Sequence, residues 1–72
     1  MLGEEIRAAR NRLGLSQETL AEKAGLHRTY ISLLERNKKS PTVETLFHIC
    51  KALGVSAAVL IRKVEAEHNE NR

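Results

Sequence analysis

Breaks in an otherwise helical apolar pattern fall at Gly14, Gly25, Asn37 and Gly54, so this chain of 72 residues is cut into pieces that fit only short helices. Leu2, Ile6, Ala9 and Leu13 recur at helical spacing, which predicts a first helix over about 2–13. Ser16 caps a second over about 17–24, and His27 takes the cap position of a third over about 28–36. Thr42 caps a fourth that reaches about 53, with Glu44 in its first turn, and Ser56 caps a fifth that reaches about 64. No stretch alternates with period two, and no repeat or low-complexity linker interrupts the pattern. The expectation is an all-α fold, a compact five-helix bundle over 1–64, with 65–72 a frayed C-terminal tail.

The central stretch QETLAEKAGLHRTYISLLER, residues 17–36, carries the most information. Leu20 and Ala24 face the core, and the small Ala21 lets the next helix cross close by. Gly25 supplies the positive φ of a sharp turn. Ile31 and Leu34 anchor the third helix from below. Its other face shows Arg28, Thr29, Ser32, Leu33 and Arg36, mostly polar and basic and short enough to reach base edges in a major groove. Leu33 on that stripe suits contact with a thymine methyl. The plain alternative is a helical hairpin with a solvated polar face, which does not account for small residue, glycine and two apolar anchors falling together.

The stretch LSQETLAEKAGLHRTYISLLERNKKSPTVETLFHICKALGVS resembles the Cro and phage-repressor (Xre-type) helix-turn-helix family, and residues 2–13 fit that family's first helix. The resemblance implies a phage-repressor-like DNA-binding domain. It implies a phosphate contact from Gln17 at the start of the second helix and base contacts from His27, Arg28, Thr29, Ser32 and Leu33. It also implies a grip on the DNA backbone by Arg36, Asn37, Lys38 and Lys39. Asn37 stands where the family usually has glycine, and Asn reaches the same left-handed conformation at small cost. The small size also resembles the controller proteins of restriction-modification systems, which are dimeric autoregulators.

Other residues have two readings. Arg10 lies on the apolar stripe of the first helix and Glu35 on the inner side of the third. Either they form one buried ion pair, which the family shows at the matching places, or both snorkel outward. Tyr30 borders the core, yet its hydroxyl is placed to reach a phosphate. Phe47, Val55, Val59, Ile61 and Val64 are more apolar side chains than a small core needs. They are either core plus scattered surface residues or a self-complementary patch for a twofold homodimer.

Composition narrows the function classes. The formal charge of +3 is only mildly basic, but Arg28, Arg36, Lys38 and Lys39 crowd the middle while Glu65, Glu67 and Glu70 sit at the end. One Phe, one Tyr and no Trp cannot build the stacking platform of a single-strand or RNA reader, so duplex DNA is favoured. His27, His48 and His68 form no metal spacing with each other or with the lone Cys50, so neither a metal nor a cofactor is expected. Cys50 is read as core and His48 as solvated. No nucleophile–base pair, carboxylate cluster or glycine-rich phosphate loop marks an enzyme, and no small-molecule ligand is implied. Without a signal peptide or a long apolar run the chain reads as cytoplasmic, with no membrane partner. The reading is a transcriptional regulator acting as a homodimer on double-stranded DNA. The rival is an antitoxin-like or other protein-interaction module on the same fold, against which Arg28 and Arg36 count.

Overall fold

The computed structural model describes residues 1–70, with side chains described through residue 68. Five helices follow one another: α1 (Leu2–Arg12), α2 (Gln17–Ala24), α3 (Arg28–Glu35), α4 (Val43–Leu53) and α5 (Ala57–Glu70). No strand occurs among the described residues. No single helix is long and apolar enough to cross a membrane.

The caps explain most of the boundaries. The Ser16 hydroxyl accepts the Thr19 amide at 3.0 Å, and the Thr42 hydroxyl accepts the Thr45 amide at 3.1 Å. Each satisfies one of the donors that a helix start leaves without an intrahelical acceptor. Ser56 does the same for Val59 over a longer 3.4 Å. His27 occupies its cap position without a side-chain hydrogen bond.

Every helix contributes to one core. Ile6, Leu20, Ile31, Leu34 and Ile49 are its largest enclosed side chains, and Ala9, Ala21, Ala24, Leu46, Cys50, Leu53 and Leu60 complete it. Helix α2 packs on α3 and α4, while α1 packs on α3 and α5. Burial pushes the Cys50 thiol pKa up, so this side chain behaves as a small apolar group.

Two sequence expectations are corrected here. Leu13 does not join the core: α1 ends at Arg12, and Leu13 is its cap residue, 53% exposed. The inward place at that end of the stripe goes to Arg10. The tail is also more ordered than expected, since α5 continues past Val64 to Glu70 and residues 65–70 are helical. Nothing after Gly54 breaks a helix, and the added turns lie on α1, where half-buried Glu67 comes within 3.8 Å of the N-terminal amine. Residues 71 and 72 of that tail lie outside the described residues.

Helix α1 approaches α3 unusually closely, and Gly3 makes this possible. A Cβ on Gly3 would stand 2.5 Å from the carbonyl oxygens of both Leu34 and Glu35, so any side chain would force the helices apart. The first turn of α1, rich in unpaired N–H groups, thus meets the carbonyl end of α3, an arrangement that favours both helix dipoles.

Candidate nucleic-acid interface

The turn between α2 and α3 sets the angle at which α3 is presented. Gly25 adopts φ 72°, the left-handed conformation expected of it. The Leu26 amide then donates back to the Ala21 carbonyl at 2.8 Å and closes the end of α2. Half-buried Leu26 packs against the core and fixes the entry of the chain into α3.

Helix α3 is only eight residues long, and burial grades across it from one side to the other. Ile31, Leu34 and Glu35 are enclosed. His27, Arg28 and Thr29 are exposed at its start, and Ser32 and Leu33 follow half-buried along the same side. All five expected base-contacting residues therefore fall on one continuous strip. Leu33 is less free than an exposed apolar contact would be. Tyr30 is half-buried with its ring against the core.

Behind this strip lies a polar network. Arg10 donates from Nε to Glu35 Oε2 at 2.6 Å and from Nη2 to Glu35 Oε1 at 2.9 Å. Its third nitrogen, Nη1, donates to the Leu15 carbonyl at 2.8 Å. The Glu35 side chain is fully enclosed and that of Arg10 is 12% exposed, so this is a buried fork-to-fork pair and not two side chains snorkelling outward. Arg7 adds a third, outer charge with its Nε 3.6 Å from Glu35 Oε1. Burial alone would raise the Glu35 pKa. The hydrogen bonds from Arg10 and Gln17 and the two arginine charges outweigh it and hold the carboxyl below its ordinary value.

Gln17 has partners within the protein that its sequence position does not announce. Its amide Nε2 donates to Glu35 Oε1 at 3.1 Å, and its Oε1 accepts a longer contact from Arg28 Nη1 at 3.4 Å. The side chain is thus engaged within the protein. What Gln17 still offers an anion is its position in the first turn of α2, whose N–H groups lack intrahelical acceptors. A continuous path runs from the buried carboxylate through Gln17 to an arginine on the exposed strip, and no spacing in the sequence announces it.

The loop after α3 collects positive charge: Arg36, Lys38 and Lys39 are all exposed. Arg36 Nε reaches back to the Ser32 carbonyl at 3.4 Å. Asn37 has φ 58°, so it does replace a glycine conformationally. Its side chain does not stand ready for a phosphate, however. Oδ1 accepts the Gly3 amide at 2.9 Å, and Nδ2 donates to Glu4 Oε1 at 2.9 Å. Sequence reasoning missed this pairing. The available signal was Gly3 itself, one turn from Ile6 inside a helical pattern, where glycine costs about 1 kcal/mol relative to alanine unless close packing demands it.

Of the apolar residues expected at a dimer surface, Phe47 is 56% exposed, Val59 45% and Ile61 49%. Val55 instead packs against the core and Val64 is half-buried. Val59 and Ile61 flank buried Leu60 and point about 200° apart around α5, so one flat patch can hold only one of them beside Phe47. Among the described residues no group of His, Cys, Asp and Glu is placed to hold a metal.

A tight left-handed turn, a short helix buried on one side and polar on the other, and a cationic loop beyond it define a helix-turn-helix domain. The family model described as Helix-turn-helix matches residues 6–60. The chain is 46% identical over 63 residues to control protein C.SmaI of Serratia marcescens, covering 88% of this chain and 75% of that protein. The crystal structure of the wild-type restriction-modification controller protein C.Esp1396I superposes with a TM-score of 0.82 at 38% identity, over 96% of this chain and 90% of that one. The P22 c2 repressor, solved in complex with a synthetic operator, gives 0.79 at 37% identity, over 83% and 91%. The chain belongs to the Cro and phage-repressor (Xre-type) helix-turn-helix family of DNA-binding transcriptional regulators.

Proposed function

We propose that this protein is a sequence-specific regulator that binds double-stranded DNA as a homodimer, on a pseudo-palindromic operator, and controls its own synthesis. The observation that carries the reading is the strip of exposed His27, Arg28 and Thr29 and half-buried Ser32 and Leu33 at the cap and along α3, continued by the cationic loop of Arg36, Lys38 and Lys39. The strip offers bidentate and single hydrogen-bond donors to base edges, and the loop offers charge to the flanking phosphates. The similarity to C.SmaI and C.Esp1396I supports the controller role, and that to the operator-bound P22 c2 repressor supports duplex DNA as the partner.

A single helix of this length meets only a few base pairs, too few to select one site in a genome. Twofold pairing doubles the contact and sets two recognition helices about one DNA turn apart. The exposed Phe47, with Val59 or Ile61 beside it, is the surface assigned to that pairing. Selection of bound fragments from genomic DNA, followed by footprinting, is the test. The expected footprint is two related half-sites about one helical turn apart, upstream of the protein's own gene. Recovery of random fragments, or of one isolated half-site, would overturn the reading.

A further inference from the structure

We propose that Asn37 is a positioning residue for the DNA-backbone grip: its side chain ties the cationic loop 36–39 to the start of α1 and so sets where Arg36, Lys38 and Lys39 meet phosphate. The inference rests on the DNA-binding reading above and extends it to residues on a helix outside the helix-turn-helix.

The loop is held from two sides. On the α3 side its backbone closes the helix, with the Asn37 amide donating to the Leu34 carbonyl at 3.0 Å and the Lys38 amide to the Leu33 carbonyl at 2.8 Å. On the α1 side Asn37 alone acts among the described residues, and it uses both ends of its amide. Oδ1 takes the Gly3 N–H, and Nδ2 gives to Glu4, each at 2.9 Å. Glu4 is held to about 2 by the hydrogen bond from the N-terminal amine and then by that from Asn37, so it stays an anion and a strong acceptor.

A positive φ alone would be met more cheaply by glycine. Glycine, however, would leave the Gly3 amide and the Glu4 carboxylate without the loop between them. The bare Cα of Gly3 matters equally, since a Cβ there would lie 2.8 Å from Asn37 Oδ1 as well as against the α3 carbonyls. Glycine in the helix, asparagine in the loop and the acid beside that glycine therefore form one clamp. Three long cationic side chains hang from the clamped backbone. A fixed starting point lowers the ordering cost of placing them on the same phosphates, which is how preorganisation strengthens binding.

Asn37→Gly separates the two roles, because it keeps the backbone conformation and removes only the amide. Affinity for a random-sequence duplex and for a selected operator duplex is measured across a salt series, beside thermal melting. The expected result is a roughly two- to tenfold loss on both duplexes alike, since the two hydrogen bonds lost lie within the protein and act on DNA only through the placing of the loop. The log K against log salt slope should become shallower by about 0.9 for each phosphate that the loop no longer neutralises. Glu4→Gln should show a weaker form of the same change, since its amide oxygen still accepts from Asn37. Combining Asn37→Gly with Lys38→Ala should cost less than the sum of the two. An unchanged slope in Asn37→Gly would overturn the proposal, even where affinity falls, because a merely destabilised fold reduces the active fraction without altering how the folded protein meets phosphate. A wild-type protein that binds neither duplex would instead defeat the DNA-binding reading itself.

Discussion

Replacing Glu35 by Ala removes the hub of the buried network. Gone at once are the two Arg10 hydrogen bonds at 2.6 and 2.9 Å, the Gln17 bond at 3.1 Å and the outer Arg7 ion pair at 3.6 Å. The Arg7 pair counts for little, because that side chain is 58% exposed and its charge is screened. The main cost is the stranded guanidinium. Arg10 keeps its bond to the Leu15 carbonyl, but its side chain is only 12% exposed and its charge loses its counterpart. Breaking one side of a buried pair costs about 3–5 kcal/mol, and the residual exposure of Arg10 places this case near about 3. For a domain of this length that lowers Tm by about 12–24 °C. Urea denaturation of wild type, Glu35→Ala, Arg10→Met and the double variant gives the coupling energy directly. The double variant should be more stable than Glu35→Ala, since no unpaired charge is left inside. A coupling below about 0.5 kcal/mol would refute the reasoning and mean that water, not Glu35, solvates Arg10.

Three further outcomes follow from the same geometry. Arg28→Ala should reduce discrimination between operator and random duplex, by about 1–3 kcal/mol if the contact is a bidentate one to guanine, whereas Lys38→Ala should weaken both equally; identical competition profiles would reject that division of roles. Glu35 and Glu4 both have lowered pKa values, so the stability they add is complete above their ordinary 4.5 and is lost as pH falls through the folded values. Glu35→Gln should accordingly show a flatter loss of stability below that pH than wild type, and denaturation midpoints with equal acid slopes would contradict it. Phe47→Asp places a charge in the surface assigned to self-association, as does either Val59→Asp or Ile61→Asp; at least one of the three should sediment as a monomer at micromolar concentration and lose operator affinity with helicity intact, and three unaltered variants would remove the dimer from the proposal.

What was legible in the sequence divides along a physical line. Helix starts with a hydroxyl cap, as at Ser16 and Thr42, and the Gly25 turn are local features, written in neighbouring residues. The inward pattern of Leu20, Ala24, Ile31 and Leu34 followed from helical spacing, and those residues are enclosed. The Arg10–Glu35 pair was reachable because two charges stood on faces that otherwise bury apolar groups. The end of α5 was not legible, since the turns beyond Val64 have no apolar pattern of their own, and Glu67 there meets the N-terminal amine, far away in the sequence. Gln17 and Asn37 have contacts within the protein that were not legible, for one shared reason. Each is a polar residue at a place where the family resemblance suggests a phosphate, and each spends its amide on a partner at least 18 positions away. A side chain that can face either DNA or its own protein carries no mark of that choice in its type.

The uneven burial of α3 has a consequence for how such a protein changes over generations. On the proposed reading, operator preference belongs to the cap and outer side of α3, and folding stability to its enclosed Ile31, Leu34 and Glu35. His27, Arg28 and Thr29 are exposed, so replacing them leaves the enclosed side of the helix intact. Substitutions there are expected to move through alternative target sequences at a stability cost within about 0.5 kcal/mol each. Gln17 is where the two meet, because it holds the buried Glu35 with one end and touches Arg28 with the other. A lineage that exchanges Arg28 for a shorter residue frees the oxygen of Gln17. One that exchanges Gln17 disturbs the fold and the preference together. On that reading, drift in specificity is cheap at the start of α3 and is coupled to the fold through Gln17 on the neighbouring helix.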